Sequence, residues 1–415
     1  MTQGESGVSI WHWLHGSQVS KARPGAPFDL SRDELGHSSP NSLPRVRLVG
    51  IKHSCLAILL FLPLVIGQAQ EQTVLLAAHR SGRVEVLDPD TLQSLRSIKV
   101  LPLADEITSG SGGLIFLREG LAPDFRGCCA LYALDLNTRD MTKVLSPVAD
   151  IVVSPDGQYL VTQRGNVGIE SFDTQTLQPL RRIPRSIAPG VYDLRFSPDG
   201  RLLFGASNFP APTLDIFDFG ERTLIRRLAL PEDLHIVGAW VGNDYYLYGY
   251  HSTTGELWRV NADNSELEAP VRIILPDAPP ECGELPEQGL LSAGGRLFLF
   301  EGFGGKGDGA RCSRKKLTGG VFSVDPQTGR ILAHLASDLH FASLISSADG
   351  KQLYGVDVRD TTWTSVGLVR LDTSTGEVLS RRDLISDVWS IHLATIPNGR
   401  PTGDRPTGDG RDVPQ

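Results

Sequence analysis

The sequence predicts an all-β fold: a seven-bladed β-propeller of four-stranded antiparallel blades, with the ring closed by a C-terminal strand that joins the N-terminal blade. Two turn patterns and an incomplete first unit support this prediction. In the first pattern, apolar, β-branched runs end in an acidic or amide residue followed by a turn, at Asp88, Asp135, Asp173, Asp218, Asn261, Asp325 and Asp372. These positions recur about every 40 residues, a spacing typical of propellers and solenoids.

The second turn pattern alternates with the first. It is clearest at Ser154–Gly157, Ser197–Gly200 and Ser347–Gly350, each of which contains Asp-Gly. Asp-Gly pairs supply the positive φ that tight hairpins need. Each unit therefore reads as a first strand, a hairpin, a second strand, a variable connection, a third strand ending in the acidic residue, and a fourth strand. Four antiparallel strands in a repeated unit make one propeller blade.

The first unit supplies only three strands, predicted at 73–78, 83–87 and 92–100. The segment 388–394 matches the first strand of a later unit, 191–196, in position and residue type. We therefore expect it to be the innermost strand of blade one, so that no sheet edge stays open inside the ring. The other six blades are predicted at 103–146, 147–187, 188–233, 234–278, 279–338 and 339–387.

A targeting segment is predicted ahead of the propeller. Basic residues in 45–53 precede an apolar run from Cys55 to Gly67 and the small-residue site around Ala69. This order is typical of a secretory signal, here 45–69, and the run is shorter than the ~20 apolar residues of a membrane span. The expected domains are 1–44, a disordered or misassigned N-terminal extension; 45–69, the signal; 70–399, the propeller; and 400–415, a disordered tail. The expected location is secreted or periplasmic, with no membrane span in the mature chain.

The net charge excludes one class of partner. The formal charge is -8 and the sequence pI is about 5.7, whereas proteins that bind nucleic acid usually carry a basic face. We therefore expect no nucleic-acid partner. A monomer is expected, with a protein or glycan as the candidate partner.

One blade resembles a known repeat. The stretch 160–184, with Ile169-Glu170-Ser171-Phe172-Asp173 at its centre, is similar to the YVTN-type repeat of seven-bladed propellers with the amine dehydrogenase β-chain-like fold. The resemblance covers 73–398 and implies the fold. Relatives in this wider group include surface-layer repeat proteins, quinoprotein dehydrogenase subunits and lactone hydrolases, so the resemblance does not choose among activities.

The long connections of the predicted blades lie on one face of the ring, which we call the long-loop face. Loops on one face of such a scaffold commonly carry binding function. Trp363 lies in one of these loops and is a candidate recognition anchor, because aromatic side chains often dominate binding energy. Its candidate companions are Arg359, Asp360, Lys306 and Arg314.

Two long loops of this face also contain cysteines. Cys282 and Cys312 are predicted to form a disulfide in an oxidising compartment, with the plain role of joining two Gly- and Pro-rich loops. Cys128 and Cys129 are adjacent in the sequence. They form either a vicinal disulfide or two thiols, and the sequence leaves both alternatives open.

Acidic side chains are also predicted at the mouth of the central channel. Aligning the tight turns places Asp105, Asp150, Asp193 and His392 at one equivalent position, together with Gln288 and Ser343. Oxygen ligands of this kind suit Ca²⁺ or Mg²⁺. The alternative is a ring of solvated polar groups in a water-filled channel. No other cofactor is expected.

The preferred interpretation is a non-enzymatic binding or scaffold protein that recognises a protein, glycan or small ligand on the long-loop face. No Gly-x-Ser-x-Gly elbow or haem-attachment Cys-x-x-Cys-His occurs in the sequence, so no catalytic motif supports an enzyme. The alternative function is a metal-dependent lactone hydrolase that uses the channel carboxylates, or a subunit of the quinoprotein dehydrogenase type.

Overall fold

The computed structural model describes residues 71–79, 81–100, 104–119, 129–165, 167–207, 211–230, 236–241, 244–251, 255–262, 266–273, 288–301, 319–359, 366–384 and 388–397. All regular elements in these ranges are β-strands. None of the described residues belongs to a helix of the length and hydropathy that crossing a membrane requires.

The strands form seven sheets in chain order. Blade one contains β1 (Glu71–His79), β2 (Arg83–Leu87) and β3 (Ser94–Lys99); blade two contains β4 (Ala104–Ser109), β5 (Leu114–Glu119), β6 (Leu131–Asp135) and β7 (Met141–Leu145); blade three contains β8 (Asp150–Val153), β9 (Tyr159–Arg164), β10 (Gly168–Asp173) and β11 (Pro179–Pro184); blade four contains β12 (Val191–Phe196), β13 (Leu202–Ser207), β14 (Thr213–Asp218) and β15 (Thr223–Ala229).

Blades five to seven complete the set. Blade five contains β16 (Ile236–Val241), β17 (Asp244–His251), β18 (Glu256–Asn261) and two short outer strands, β19 (Glu266–Leu267) and β20 (Val271–Arg272); blade six contains β21 (Gln288–Ala293), β22 (Arg296–Glu301), β23 (Val321–Val324) and β24 (Ile331–Leu335); blade seven contains β25 (Phe341–Ser346), β26 (Gln352–Val358), β27 (Val366–Asp372) and β28 (Val378–Leu384). The last strand, β29 (Val388–Pro397), returns to blade one.

Ring closure by the last strand is confirmed. β29 pairs antiparallel with β1 from Glu71 opposite Pro397 to His79 opposite Val388, so blade one has the order β29-β1-β2-β3. The innermost strands β29, β4, β8, β12, β16, β21 and β25 each contact the next one around the ring. The predicted seven-bladed propeller of four-stranded antiparallel blades is therefore correct.

The hydrophobic core lies between the blades. Seven clusters of buried apolar side chains occupy the seven interfaces between neighbouring blades. At the interface of blades seven and one, Leu75 and Ile391 pack with Val356 and Leu368. Alternation along each strand sends successive side chains to the two neighbouring interfaces. Each blade is therefore stabilised mainly by the two beside it.

The acidic turn residues have the structural role that their sequence context indicates. In Asp173, for example, Oδ1 accepts the backbone N–H groups of Gln175 at 3.0 Å and of Thr176 at 2.7 Å. Carboxylate bonds to nearby backbone N–H groups also occur at Asp88, Asp135, Asp218, Asp325 and Asp372. These Asx-type turns fix the return from third to fourth strand.

Blades seven and one are also joined by a buried ion pair. Arg382 Nη2 on β28 lies 2.8 Å from Glu85 Oε1 on β2, and Arg382 Nη1 donates to the carbonyl of Leu92 at 3.1 Å. Burial alone would raise the pKa of Glu85, but hydrogen bonds from Arg382 and Ser94 and the charges of Arg382 and His79 outweigh it and lower that pKa. The closure therefore has an electrostatic component in addition to the β29–β1 ladder.

Candidate functional site

Three carboxylates occupy one position on the innermost strands of blades two, three and four. The hairpin after each of these strands begins with the N–H of Gly110, Ser154 or Ser197, which bonds across the turn. Four residues before these lie Glu106, Asp150 and Asp193. The same count in blade seven gives Ser343. The acidic side of the channel therefore belongs to three consecutive blades.

The channel alignment made from sequence needs two corrections. In blade two Glu106, and not Asp105, is equivalent to Asp150, because the turn from Gly110 to Leu114 is one residue shorter than the Ser-Pro-Asp-Gly turns. A register shift between Ala104 and Glu106 leaves Asp105 as the extra residue of a bulge.

In blade one the strand pairing places a residue other than His392 at the position equivalent to Asp150. Leu393 opposes Leu75 as Val153 opposes Leu160, so His392 corresponds to Val152, two positions beyond Asp150. Ser390 takes the place that His392 was expected to occupy. The β29–β1 ladder continues regularly from Ser390 opposite Ala78 to Pro397 opposite Glu71, beyond the point where the hairpins of blades two to four begin, so the alignment by turns fails here.

Asp150 is the most buried of the three carboxylates, with 7% of its surface exposed. Its Oδ1 accepts the N–H of Ile151 at 2.8 Å, and its Oδ2 accepts the N–H of Leu194, in the next blade, at 2.6 Å. Burial raises the pKa of Asp150 to about 7, Glu106 and Asp193 add to this effect, and Arg195 and the Leu194 N–H oppose it. Asp150 therefore changes protonation near neutral pH.

Asp193 and Arg195 form an ion pair on β12, where Asp193 Oδ1 lies 2.7 Å from Arg195 Nη2. Asp193 has φ of 51° and sits in a bulge where two residues oppose one on β13. Bulges of this kind redirect side chains and are frequent beside functional sites. Arg195 Nη1 also donates to the carbonyl of Leu194 at 2.8 Å.

Arg195 is the most accessible charged group of this cluster. Its side chain is 42% exposed, whereas that of Asp193 is 8% exposed. The pKa of Arg195 is raised chiefly by Asp193, with burial opposing and Asp150, Glu106 and Tyr245 contributing. The guanidinium is thus permanently charged and open to solvent on one side.

Glu106 has its own cationic partner. Arg118 lies directly opposite on β5, and its Nε is 2.7 Å from Glu106 Oε2. The Glu106 side chain is 29% exposed and that of Arg118 is 19% exposed. We call Glu106, Arg118, Asp150, Asp193 and Arg195 the channel cluster. It combines the partly exposed side chains of Arg195 and Glu106, each of which also has a partner within the protein.

His392 contacts a residue outside the channel cluster. Its Nε2 is 3.0 Å from the hydroxyl oxygen of Ser109, on the innermost strand of blade two. Burial lowers the pKa of His392 to about 4. The imidazole is therefore neutral at pH 7 and joins blades one and two by a neutral hydrogen bond.

The predicted metal site has no counterpart within the described ranges. They contain no group of three or more His, Cys, Asp or Glu side chains placed to hold a metal ion. The Asp105 side chain lies outside the described atoms. The prediction of Ca²⁺ or Mg²⁺ at Asp105, Asp150, Asp193 and His392 thus stays a prediction without further support.

One predicted long-loop residue is described. Arg359, at the end of β26, forms ion pairs with Asp383 and, at 3.5 Å, with Asp357. Arg381 also binds Asp357, at 2.8 Å. Arg359 is therefore held by blade seven itself. Its predicted companions lie outside the described residues: Trp363, Asp360, Lys306 and Arg314.

The predicted disulfide between Cys282 and Cys312 also lies outside the described residues. Cys129 is described, is 6% exposed and is disulfide-bonded. Of the two alternatives for this cysteine, the free thiol is therefore excluded.

Sequence reasoning missed Glu106, Arg118 and Arg195 as parts of the site. A signal for Arg195 was available, because it is two residues from Asp193 on a strand, a spacing that places both side chains on one side. Arg118 could be found only through the register of β5 on β4. That register depends on the turn between the two strands, which was misaligned by one residue.

The comparisons with known proteins identify the fold. No protein-family model matches the chain and no curated protein matches it, so membership of the YVTN-type family stays a prediction.

Solved structures are similar at low identity. The dihydro-heme d1 dehydrogenase NirN in complex with DHE has a TM-score of 0.53 at 13% identity, covering 80% of this chain and 76% of that one. Hydrazine synthase of Kuenenia stuttgartiensis has a TM-score of 0.51 at 14% identity, covering 71% and 90%. A putative 6-phosphogluconolactonase from Bacteroides uniformis has a TM-score of 0.52 at 14% identity, covering 78% and 99%. At such identities the similarity shows the propeller fold alone.

Proposed function

We propose that this chain is an exported, non-enzymatic β-propeller that binds a saccharide at the channel cluster, on the long-loop side of the ring. The observation that carries the proposal is the partial exposure of a cationic and an acidic side chain in one cluster. Arg195 is 42% exposed and Glu106 is 29% exposed, on the innermost strands of blades four and two. Asp150 lies on the blade between them.

The chemistry of the cluster favours hydroxyl groups over ions. A hydroxyl both donates and accepts hydrogen bonds, so it can meet the Glu106 carboxylate and the Arg195 guanidinium alike. An added anion would be repelled by Asp193 and Glu106, and an added cation by Arg195 and Arg118. The cluster itself is close to neutral when Asp150 is protonated. A neutral, hydroxyl-rich ligand is thus the best electrostatic complement.

Export and a monomeric state belong to the same proposal. Export rests on the signal-like segment 45–69, and the monomeric state rests on the ring that β29 closes within a single chain. Mass spectrometry of the protein recovered from its producing cells should find an N-terminus near Gln70. A mature protein that retains 45–69 would contradict the export proposal.

The test of binding uses saturation-transfer-difference NMR with methyl glycosides of glucose, galactose, mannose and N-acetylglucosamine. We expect transfer to at least one glycoside, lost in Arg195→Gln and kept in Arg201→Gln. Arg201 is a suitable control because its side chain is 56% exposed and its ion pair with Asp199 spans 3.8 Å. Absence of transfer to the whole panel, or equal transfer in both variants, would overturn the proposal.

A further inference from the structure

The outer strands of blades three and four are basic. β11 contains Arg181 and Arg182, β15 contains Arg226 and Arg227, and neither strand contains Asp or Glu. The formal charge of the whole chain is -8. These strands also contrast with the innermost strands of blades two to four, which carry the three carboxylates of the channel cluster. Positive charge is therefore concentrated on one part of the outer rim.

Two of these arginines are engaged within the protein. Nε and Nη2 of Arg227 each lie 2.6 Å from a carboxylate oxygen of Asp215, which is fully buried. The guanidinium of Arg181 lies over the rings of Tyr159 and Phe219, 5.6 Å from each ring centroid. Both arginines therefore have a structural role that accounts for their presence.

Arg182 differs from them, because its exposed guanidinium binds only a neutral group. Its Nε and Nη2 donate to the carbonyl oxygen of Val167 at 3.2 and 2.9 Å. Glu170 lies opposite Arg182 in the β10–β11 ladder, but the Glu170 carboxylate binds Arg164 at 2.9 Å. A guanidinium has five N–H groups, so more than half of those of Arg182 remain available to a ligand.

Arg185 places a second exposed cation beside Arg182. Its backbone N–H donates to the same Val167 oxygen at 3.1 Å, so the Arg182 guanidinium and the Arg185 backbone meet at one atom. Among the described residues, no hydrogen bond or ion pair involves the Arg185 side chain. Its positive charge is therefore uncompensated by the protein.

The connection from blade three to blade four holds this pair of cations in place. The N–H groups of Ile187 and Ala188 donate to the carbonyl of Pro184 at 2.9 and 3.1 Å. The carbonyl of Ile187 accepts Arg227 Nη2 at 3.2 Å from the next blade. The backbone that carries Arg185 is thus fixed at both blades, which lowers the entropy that a ligand would lose on binding.

We propose that Arg182 and Arg185 form an anion-binding surface on the outer rim, and that its ligand is a polysaccharide with carboxylate groups. The planar guanidinium fork matches a carboxylate in shape and charge. This inference goes beyond the saccharide site of the channel cluster and does not rest on it. The two surfaces differ in charge and lie on opposite edges of the blades, the innermost and the outermost.

The outer strands themselves favour a polysaccharide over a peptide or a membrane. Each contains a β-bulge whose extra residue is exposed, Leu180 in β11 at 47% and Ile225 in β15 at 49%. A bulge interrupts the regular edge that an added peptide strand would need. The two outer strands belong to blades that radiate from one axis, so their side chains do not share the plane of a flat membrane.

Alginate, a polymer of uronate sugars, is a suitable probe, with neutral dextran as the reference. In affinity electrophoresis we expect alginate to retard the protein, dextran to leave it unretarded, and high NaCl to abolish the retardation by screening. Arg182→Gln/Arg185→Gln should raise the dissociation constant for alginate by at least about 10-fold, the usual effect of losing charge-assisted hydrogen bonds.

The matched control is Arg201→Gln/Lys351→Gln, which also removes two positive charges. Both control residues are exposed, and each is 3.8 Å from the Asp of its own turn. Wild-type affinity is expected in the control, and equal weakening of both double variants would overturn the inference. Equal retardation by dextran and alginate, or stronger binding to polyglutamate or to anionic phospholipid vesicles than to alginate, would also overturn it.

A charge-retaining variant guards against a folding artefact. Arg182→Lys/Arg185→Lys should keep the thermal midpoint and most of the salt-sensitive retardation, because both charges remain. Loss of retardation in this variant at an unchanged midpoint would contradict the electrostatic basis of the inference. Saturation-transfer NMR with neutral glycosides should be unaffected by any of these rim substitutions, so failure of the rim surface and failure of the channel site can be told apart.

Discussion

Removing the Arg382 side chain should destabilise the interface between blades seven and one. Glu85 is 4% exposed, and Arg382 supplies its closest charged partner, at 2.8 Å from the neighbouring blade. In Arg382→Gln the carboxylate would keep His79, whose Nε2 is 3.3 Å away, and the side-chain hydrogen bond from Ser94. Breaking a buried pair by removing one partner typically costs about 3–5 kcal/mol.

The lower end of that range applies here. The Arg382 side chain is 23% exposed, so water can partly replace it around Glu85. We therefore expect a loss of about 3 kcal/mol in the free energy of unfolding. At about 2 °C per kcal/mol for a domain of this size, the thermal midpoint should fall by roughly 6 °C.

The assay is urea unfolding of the wild type, Arg382→Gln, Glu85→Gln and the double variant. The double variant should regain most of the lost stability, because it leaves no unpaired buried charge. Arg201→Gln is the matched control. Its ion pair with Asp199 is exposed, so a change within about 1 kcal/mol is expected. Equal losses in Arg382→Gln and Arg201→Gln, or no recovery in the double variant, would refute a role for the pair in ring closure.

Three further predictions concern titrating groups. Between about pH 4 and 7 the folded protein keeps the Asp150 proton, whereas the unfolded chain releases it. Asp150→Asn should therefore gain stability relative to wild type as pH rises through this window, by at most about 4 kcal/mol. A pH-independent difference in urea midpoints would contradict this. His392→Gln should gain stability relative to wild type as pH falls. The low pKa of His392 makes the wild type lose stability as pH falls from about 6.5 to 4, by up to about 3 kcal/mol. Parallel stability profiles of the two proteins against pH would count against this. The pKa of Asp372 is lowered to about 2, chiefly by the Ser374 hydroxyl and the Thr375 N–H. Asp372→Ala should therefore lower the thermal midpoint at pH 7 and have less effect near pH 2. An equal effect at both pH values would argue against a stabilising hydrogen bond in this turn.

The fold was predictable because its signals are local. An Asp such as Asp173 bonds to N–H groups two and three residues away, so a short stretch of sequence is enough to predict the turn. The incomplete first unit then required a strand from elsewhere, and 388–394 was the segment with the right pattern. β29 confirms this inference and extends to Pro397.

The candidate site was only partly predictable, because it depends on register across strands. Asp150 and Asp193 follow clear Ser-Pro-Asp-Gly spacing and were placed correctly at equivalent positions. The glycine-rich turn after β4 is one residue shorter than the Ser-Pro-Asp-Gly turns, which moved the choice from Glu106 to Asp105. One residue of shift reverses the side of a strand that a side chain occupies.

The position of Tyr245 could not be predicted from sequence. It depends on packing between blades four and five and on Gly238, where a Cβ atom would overlap the Tyr245 hydroxyl oxygen. The pKa of Asp150 is likewise a property of the assembled channel, since Glu106, Asp193 and Arg195 come from two other blades. Sequence patterns indicate which residues are present, and the closed ring decides which of them meet.

The most direct test of the account is a crystal structure of the protein with the methyl glycoside that shows the strongest NMR transfer. We predict that the sugar lies on the channel wall of blades two to four, with ring oxygens or hydroxyls within hydrogen-bond distance of Arg195 and Glu106. A sugar bound on the outer strands or on loops remote from Arg195 would contradict the account.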